Sequence, residues 1–227
     1  MRQTSRRARA GWVRADLATG EGLAEAVAGM DAVVHLGSAT KQYRKAGEVD
    51  VAGTRRLATA AQRAGVRHLV YVSIVGIDRI PFGYYRNKLA AEKVLQAGPL
   101  PWSILRATQF PQLVDERFLP LASRLGVLVA DPGITVQLVD PRDVADRIAG
   151  LVATGPTRTV EDYGGPEVLD SEQLVRSWLH ATGKRRPVLT LRLPGRVPRT
   201  MREGALTTTA QPTGTRTWQD YLAERYA

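Results

Sequence analysis

Tyr84 and Lys88 stand four residues apart in Tyr84-Tyr85-Arg86-Asn87-Lys88, inside a segment whose apolar residues repeat with helical spacing. On a helix this separation stacks both side chains on one face, one turn apart. A phenol with a pKa of about 10 exchanges protons poorly at neutral pH. A neighbouring ammonium favours the phenolate, which makes the tyrosine a usable acid toward a carbonyl being reduced, or base toward an alcohol being oxidised. Tyr85, three residues from Lys88, is the rival phenol. Ser73 ends an apolar run and precedes Tyr84 by eleven residues. A hydroxyl there is placed to hold a substrate carbonyl oxygen. Ser73, Tyr84 and Lys88 are therefore the candidate catalytic residues.

Such residues need a scaffold that brings a strand end and a helix together. Short apolar runs at 12–15, 31–36, 67–73 and 102–106 predict strands. Segments of 3.6-residue periodicity at 20–29, 48–64 and 84–97 predict the helices between them. Strands apolar on both faces and separated by helices form a parallel sheet covered on two sides. Ser73 then lies at the carboxyl end of its strand, where doubly wound sheets bind ligands. Beyond Phe110 the rhythm changes. Strands are expected at 127–130, 135–139 and 187–193, and helices at 141–152, 171–182 (with Ser171 as N-cap) and 218–226. The Pro- and Gly-rich stretch 194–216 reads as loops.

Composition narrows the function further. Apolar residues make up 44% and charged residues 24% of the 227, a mix that excludes a wholly disordered chain. No apolar run approaches the ~18 residues of a membrane span. The absence of cysteine excludes a disulfide scaffold, a thiolate metal site and a cysteine nucleophile. His35, His68 and His180 are too scattered to suggest a metal site, and no metal is expected. His68 reads as a packed strand residue, and Trp178 and Trp218 as core or rim aromatics.

The net charge of +10 is concentrated in two places. Residues 1–14 hold Arg2, Arg6, Arg7, Arg9 and Arg14 without an acid. Residues 184–202 hold Lys184, Arg185, Arg186, Arg192, Arg196, Arg199 and Arg202, again without one. Such patches attract nucleic acid, anionic lipid or phosphate, or are solvated surface. The second patch lacks interleaved aromatics, and nucleic acid is not expected as a partner. The arginine-rich start lacks the amphipathic helix of a transit peptide, and Arg6-Arg7 lacks the apolar region of a twin-arginine signal. A cytoplasmic location without a membrane partner is the expectation.

The chain resembles the atypical short-chain dehydrogenases/reductases, the NmrA-like NAD(P)-binding proteins. The residues that carry the likeness are Asp16-Leu17, the run 31–36, Asp50-Val51-Ala52-Gly53-Thr54 and the run 65–73. Tyr84-x-x-x-Lys88 with Glu92 behind it, the run 102–106 and the run 139–145 complete it. The resemblance implies an α/β fold: a Rossmann-type doubly wound parallel sheet with a small mixed C-terminal substrate-binding region. It implies an NAD(P)-binding domain over 1–110 and a substrate-binding region over 111–227. The implied activity is NAD(P)H-dependent hydride transfer to a carbonyl or quinone-like small molecule. Ser73, Tyr84 and Lys88 would be catalytic, with Lys88 also holding the nicotinamide ribose. Asp16 would bond the adenine amino group and Leu17 pack on the ring. His35, Leu36, Gly37 and Ser38 would run beside ribose and phosphates. Ala107, Thr108 and Gln109 would flank the carboxamide. Arg6 and Arg7 correspond to the segment that reads the 2′-phosphate, which points to NADP(H) in preference to NAD(H).

The sequence departs from the family in one large respect. The glycine-rich loop G-x-x-G-x-x-G that cradles the pyrophosphate is not found in it. The family's first strand and helix are thus expected to be missing, an N-terminal truncation that leaves the run 31–36 with an open edge. That edge could pair with the run 12–16, pair with a second copy in a homodimer, or belong to a longer gene product. Ala107 in place of a proline and Ile74 in place of a serine are milder departures. A non-catalytic NAD(P)-binding sensor, or a remnant with weak cofactor binding, is the alternative function.

Overall fold

The computed structural model describes residues 1–39, 47–124 and 126–227. They form two compact units, each drawn from separated stretches of chain. The first comprises Met1–Ser73, Phe82–Leu105 and Ile148–Glu161, and the second Ile74–Pro81, Arg106–Arg147 and Asp162–Ala227.

A four-stranded sheet has the order β3-β4-β5-β8, namely Ala32–His35, His68–Ile74, Trp102–Ala107 and Val160–Tyr163, and all of it but Ile74, Arg106, Ala107, Asp162 and Tyr163 falls in the first unit. β3 pairs parallel to β4 with Val33 opposite Leu69 and His35 opposite Tyr71. Five of the seven residues of β4 are buried and the other two half-buried, as a continuous apolar strand in a covered sheet requires. Helices α2 (Gly53–Arg63) and α3 (Gly83–Gln96) flank it. α2 buries Thr54, Leu57 and Ala61, and α3 buries Tyr85, Lys88, Ala91 and Leu95, each a single helical stripe. Of these, Leu57, Ala61, Ala91 and Leu95 meet Leu69, Tyr71, Trp102 and Ile104 in one core, which Leu23 and Val27 of α1 (Leu23–Val27) close. Gly65, with φ at 75°, ends the α2 segment in the left-handed conformation that favours glycine.

Two short strands, β1 (Thr4–Ser5) and β2 (Val13–Arg14), pair parallel in a sheet of their own. Of the outcomes open for the run 31–36, direct pairing with the run 12–16 is not the one adopted. β2 bonds β1, and the outer edge of β3 has no strand partner among the described residues. Val34 and Leu36 remain exposed there.

The second unit is mixed. β6 (Leu128–Ala130) pairs parallel to β10 (Val188–Thr190), and β7 (Thr135–Gln137) antiparallel to β9 (Val168–Asp170). α7 (Ser171–Ala181) and α9 (Trp218–Tyr226) pack together. Trp178 and Trp218 are fully buried. The Asp115 carboxylate accepts from Trp178 Nε1 (2.7 Å), Tyr221 Oη (2.7 Å) and Tyr226 Oη (2.5 Å), which ties the C-terminal helix down.

Several expectations need correction. Asp170, not Ser171, caps α7: its side chain accepts from Gln173 N, and the Gln173 side chain accepts from Asp170 N. The strand predicted to reach Val139 stops at Gln137. The stretch read as loops contains α8 (Arg196–Arg202). Residues 111–123 are helical, through Pro111–Leu113, a wider π stretch Val114–Phe118 and Leu119–Ser123. α6 (Pro141–Thr154) and the 218–226 helix lie where periodicity puts them.

Candidate active site

The carboxyl ends of β3 and β4 are neighbours, because the two strands run parallel in register. Ser73 lies at the end of β4, and Ser38 three residues beyond the end of β3. α3 brings two side chains to these ends from its first two turns. Lys88 is 4% exposed, and its Nζ donates to the Val72 carbonyl at 2.6 Å. The ammonium also stands 4.0 Å from the centre of the Tyr71 ring. One turn earlier, Tyr84 Oη and Ser38 Oγ lie 2.9 Å apart. Tyr85 is turned into the core, edge-on to Phe82 with ring centres 5.6 Å apart. Of the two phenols, Tyr84 is the one that reaches the strand ends.

The electrostatics are those of a buried cation with carboxylate company. Burial pushes Lys88 down to about 8, and Asp50 and Glu92 hold it up against that fall. Burial, Asp50, Tyr84 and Glu92 push the Tyr71 phenol well above its ordinary range. His35 is driven down to about 3 by burial and by Lys88, so it is neutral. His35 Nε2 is 2.8 Å from Thr54 Oγ1, which joins β3 to α2. His68 is likewise pushed down by burial, beside Ser103 Oγ at 2.9 Å.

Three buried polar atoms at this place have no hydrogen-bond partner among the described residues: Ser73 Oγ, Tyr71 Oη and Asp50 Oδ2. A buried polar atom left unpaired costs about 1–3 kcal/mol, and such atoms gather where a ligand completes them. Asp50 Oδ1 accepts from Ala39 N at 3.2 Å and so fixes the loop that presents Ser38. Asp50 and Glu92 carry the family likeness without an assigned role in the sequence, and their burial beside Lys88 makes them functional candidates. The available signal is spacing: Glu92 follows Lys88 by four residues on the buried face of α3.

The remaining expected residues fall in three places. Asp16 and Leu17 form a tight turn in which Asp16 Oδ1 accepts from Ala18 N at 2.8 Å. Leu17 packs so closely on the start of α2 that a Cβ at Gly53 would lie 2.8 Å from Leu17 Cβ and 2.9 Å from its carbonyl oxygen. Its other side meets Gly37. Asp16, Leu17, Gly37 and Ser38 thus belong to one cluster beside β3, while Leu36 points to solvent. Arg6 and Arg7 are exposed just after β1, where Arg7 N donates to Ser5 Oγ at 3.2 Å. Ala107, Thr108 and Gln109 straddle the end of β5 in the second unit. There Thr108 N donates to the Tyr163 carbonyl at 3.0 Å, and Val139 N donates to the Gln109 carbonyl at 3.0 Å. No metal-ligating cluster occurs among the described residues.

Residues 1–154 match the pattern of a family described as NAD(P)H-binding. A (4-alkanoyl-5-oxo-2,5-dihydrofuran-3-yl)methyl phosphate reductase of Streptomyces griseus is 31% identical over 122 residues, 52% of this chain and 43% of that one. The chain matches less than half the length of the curated relatives it resembles. Among solved structures, an NADPH-dependent quinone oxidoreductase of Escherichia coli in complex with NADPH superposes with a TM-score of 0.75. It is 18% identical, and the match covers 95% of this chain and 83% of that one. A short-chain dehydrogenase/reductase superfamily protein of Agrobacterium tumefaciens with bound NAD superposes with a TM-score of 0.70 at 23% identity, over 98% and 87% of the two chains.

Proposed function

Because the chain belongs to the NAD(P)H-binding family, we propose that it is an NAD(P)H-dependent reductase of a carbonyl or quinone-like small molecule. One observation carries this reading: the Tyr84 hydroxyl at Ser38, the buried Lys88 ammonium on the Val72 carbonyl and the unpartnered Ser73 hydroxyl all lie by the carboxyl ends of two parallel strands.

The residues present fit a dinucleotide on the nicotinamide side, where buried polar atoms await partners. When bound, the dinucleotide supplies the hydride. Ser73 Oγ donates to the substrate oxygen and orients it. Tyr84 Oη exchanges its bond to Ser38 for one to the same oxygen and gives it a proton. Lys88, held by the Val72 carbonyl, stabilises the phenolate that remains and holds the ribose hydroxyls. Asp16 accepts from the adenine amino group and Leu17 supplies an apolar face for the ring. The segment His35 to Ser38 lines the ribose and phosphates, with the His35 ring itself turned inward as a packing residue. Arg6 and Arg7 are free to meet a 2′-phosphate, which favours NADP(H).

The test is spectrophotometric. The chain is mixed with NADPH or NADH and a panel of quinones, aldehydes and ketones, and loss of the reduced nicotinamide absorbance is followed. Thermal unfolding is recorded with each dinucleotide alone; at a hundred times the dissociation constant, binding adds about 2.7 kcal/mol. Oxidation with one acceptor class supports the proposal. A thermal shift without oxidation by any acceptor supports a non-catalytic sensor instead.

A further inference from the structure

The basic run 184–202 has no part in the site described above. Arg202 is spent internally, on Asp131 at 2.6 Å, and Arg199 pairs with Glu203 at 3.2 Å. Lys184 lies over the Trp178 ring at 4.3 Å. Arg185, Arg186, Arg192 and Arg196 are exposed and have no carboxylate at ion-pair distance among the described residues.

These four arginines bracket β10. The β6–β10 sheet has two unlike faces. Leu128 and Ala130 are buried on the side where α7 packs. Alternate residues point the other way: Val129, 37% exposed, is the register partner of Leu189, 52% exposed. Leu191, 53% exposed, extends that row, its N bonded to the Ala130 carbonyl at 2.9 Å. An aliphatic row therefore stands in water. Just before and just after it in the chain are exposed guanidinium groups without an ion-pair partner among the described residues.

We propose that this face of the second unit docks on an anionic phospholipid surface, with Leu189, Leu191 and Val129 entering the headgroup boundary and Arg185, Arg186, Arg192 and Arg196 meeting the lipid phosphates. The inference does not depend on the reductase reading. Charge selects the occupant. A second copy would set arginines against arginines. A nucleic acid would meet the arginines and leave the aliphatic row wet. An anionic bilayer satisfies both kinds of group, since basic residues near such a surface and aliphatic side chains at its boundary each contribute. The expectation of no membrane partner rested on apolar runs too short to span a bilayer. No described helix is long and apolar enough to cross one, and surface docking needs none.

Co-sedimentation with lipid vesicles tests it, using the full chain, Leu189→Ser/Leu191→Ser and Arg185→Glu/Arg186→Glu. The wild type is expected to partition about tenfold or more better onto mixed phosphatidylglycerol and phosphatidylcholine vesicles than onto phosphatidylcholine alone, and to weaken in high salt. Both variants lose this binding while unfolding at the wild-type temperature, because all four side chains are exposed. Failure of the wild type to sediment with anionic vesicles overturns the proposal. So does a leucine variant that binds like the wild type; a duplex DNA bound with the same salt dependence then identifies a general polyanion surface.

Discussion

The hydroxyls of Tyr84 and Ser38 lie 2.9 Å apart although 46 residues separate them in the chain. The phenol proposed as proton donor is thus held at the end of β3 by a serine that is not the proposed substrate-binding one. Ser73 Oγ, the group proposed for the substrate oxygen, has no hydrogen-bond partner among the described residues. Tyr84→Phe removes both the bond to Ser38 and the proton. Turnover is expected to fall by about a hundredfold to ten-thousandfold, with the NADPH-induced rise in unfolding temperature unchanged. Steady-state rates and thermal unfolding of the same preparation check this, and retained turnover sinks the assignment.

Lys88 couples the stability of the chain to pH. Its pKa is pushed down to about 8 from an ordinary 10.5, chiefly by burial. The unfolded chain keeps that proton up to the ordinary value, so between these limits it binds more protons than the folded chain, and stability rises with pH. Lys88→Met removes the buried charge. It also leaves the buried Asp50 and Glu92 carboxylates without their cation, so the variant is expected to be inactive and less stable at pH 7, by about 3–5 kcal/mol. The gap should widen as pH rises from 8 to 10, because only the wild type gains stability there. Urea unfolding at several pH values measures it.

Gly53→Ala discriminates packing from propensity. Within a helix, alanine in place of glycine usually stabilises by about 1 kcal/mol. Here the new Cβ would meet the Leu17 carbonyl oxygen at 2.9 Å. The expected sign is therefore reversed, a loss of about 1–3 kcal/mol, with weaker dinucleotide binding as the Asp16–Leu17 turn is displaced. Thermal unfolding and NADPH titration read the two effects.

Asp115→Ala leaves Trp178 Nε1, Tyr221 Oη and Tyr226 Oη without their common acceptor. A loss of about 3–5 kcal/mol is expected, seen as earlier unfolding in denaturant. Hydrogen exchange should localise it to α9.

Arg6→Ala/Arg7→Ala tests cofactor preference. Each charge-assisted bond to a 2′-phosphate contributes about 1.5–3 kcal/mol. NADPH affinity should drop by at least about tenfold, while NADH affinity stays the same. Equal losses for both dinucleotides would remove these arginines from the 2′-phosphate site.

The elements that position the proposed site were readable because their signals are local. β4 and β5 are continuous apolar runs, and α3 carries Tyr85, Lys88, Ala91 and Leu95 on one stripe. What escaped depends on distant partners. β8 is Val-Glu-Asp-Tyr, a strand because Thr108 N and Ile104 N bond its neighbourhood, not because its residues favour strands. The helical stretch 111–123 opens with Pro111 and widens into a π form, which blurs its period. Asp50 carries the family likeness, but its burial and its bond from Ala39 N in a loop eleven residues earlier are not local signals. The Tyr84–Ser38 contact joins segments that nothing in their local sequence connects.

The two histidines buried in the first unit set the order in which acid dismantles the chain. His35 and His68 are both held neutral by burial. Unfolded histidine takes up its proton below about 6.5, so the first unit begins to lose stability as pH drops through that range. The second unit depends instead on Asp140, held low by its bonds from Arg142, and on Asp143, which the Arg216 and Thr215 backbone groups keep low against its burial. Those carboxylates give up their contribution only below their ordinary range near 3.8. Mild acid should therefore draw its first loss of stability from the histidines of the first unit, and only stronger acid from these carboxylates of the second, so a slow pH ramp followed by the imidazole and carboxyl signals separates the two contributions in a single intact chain.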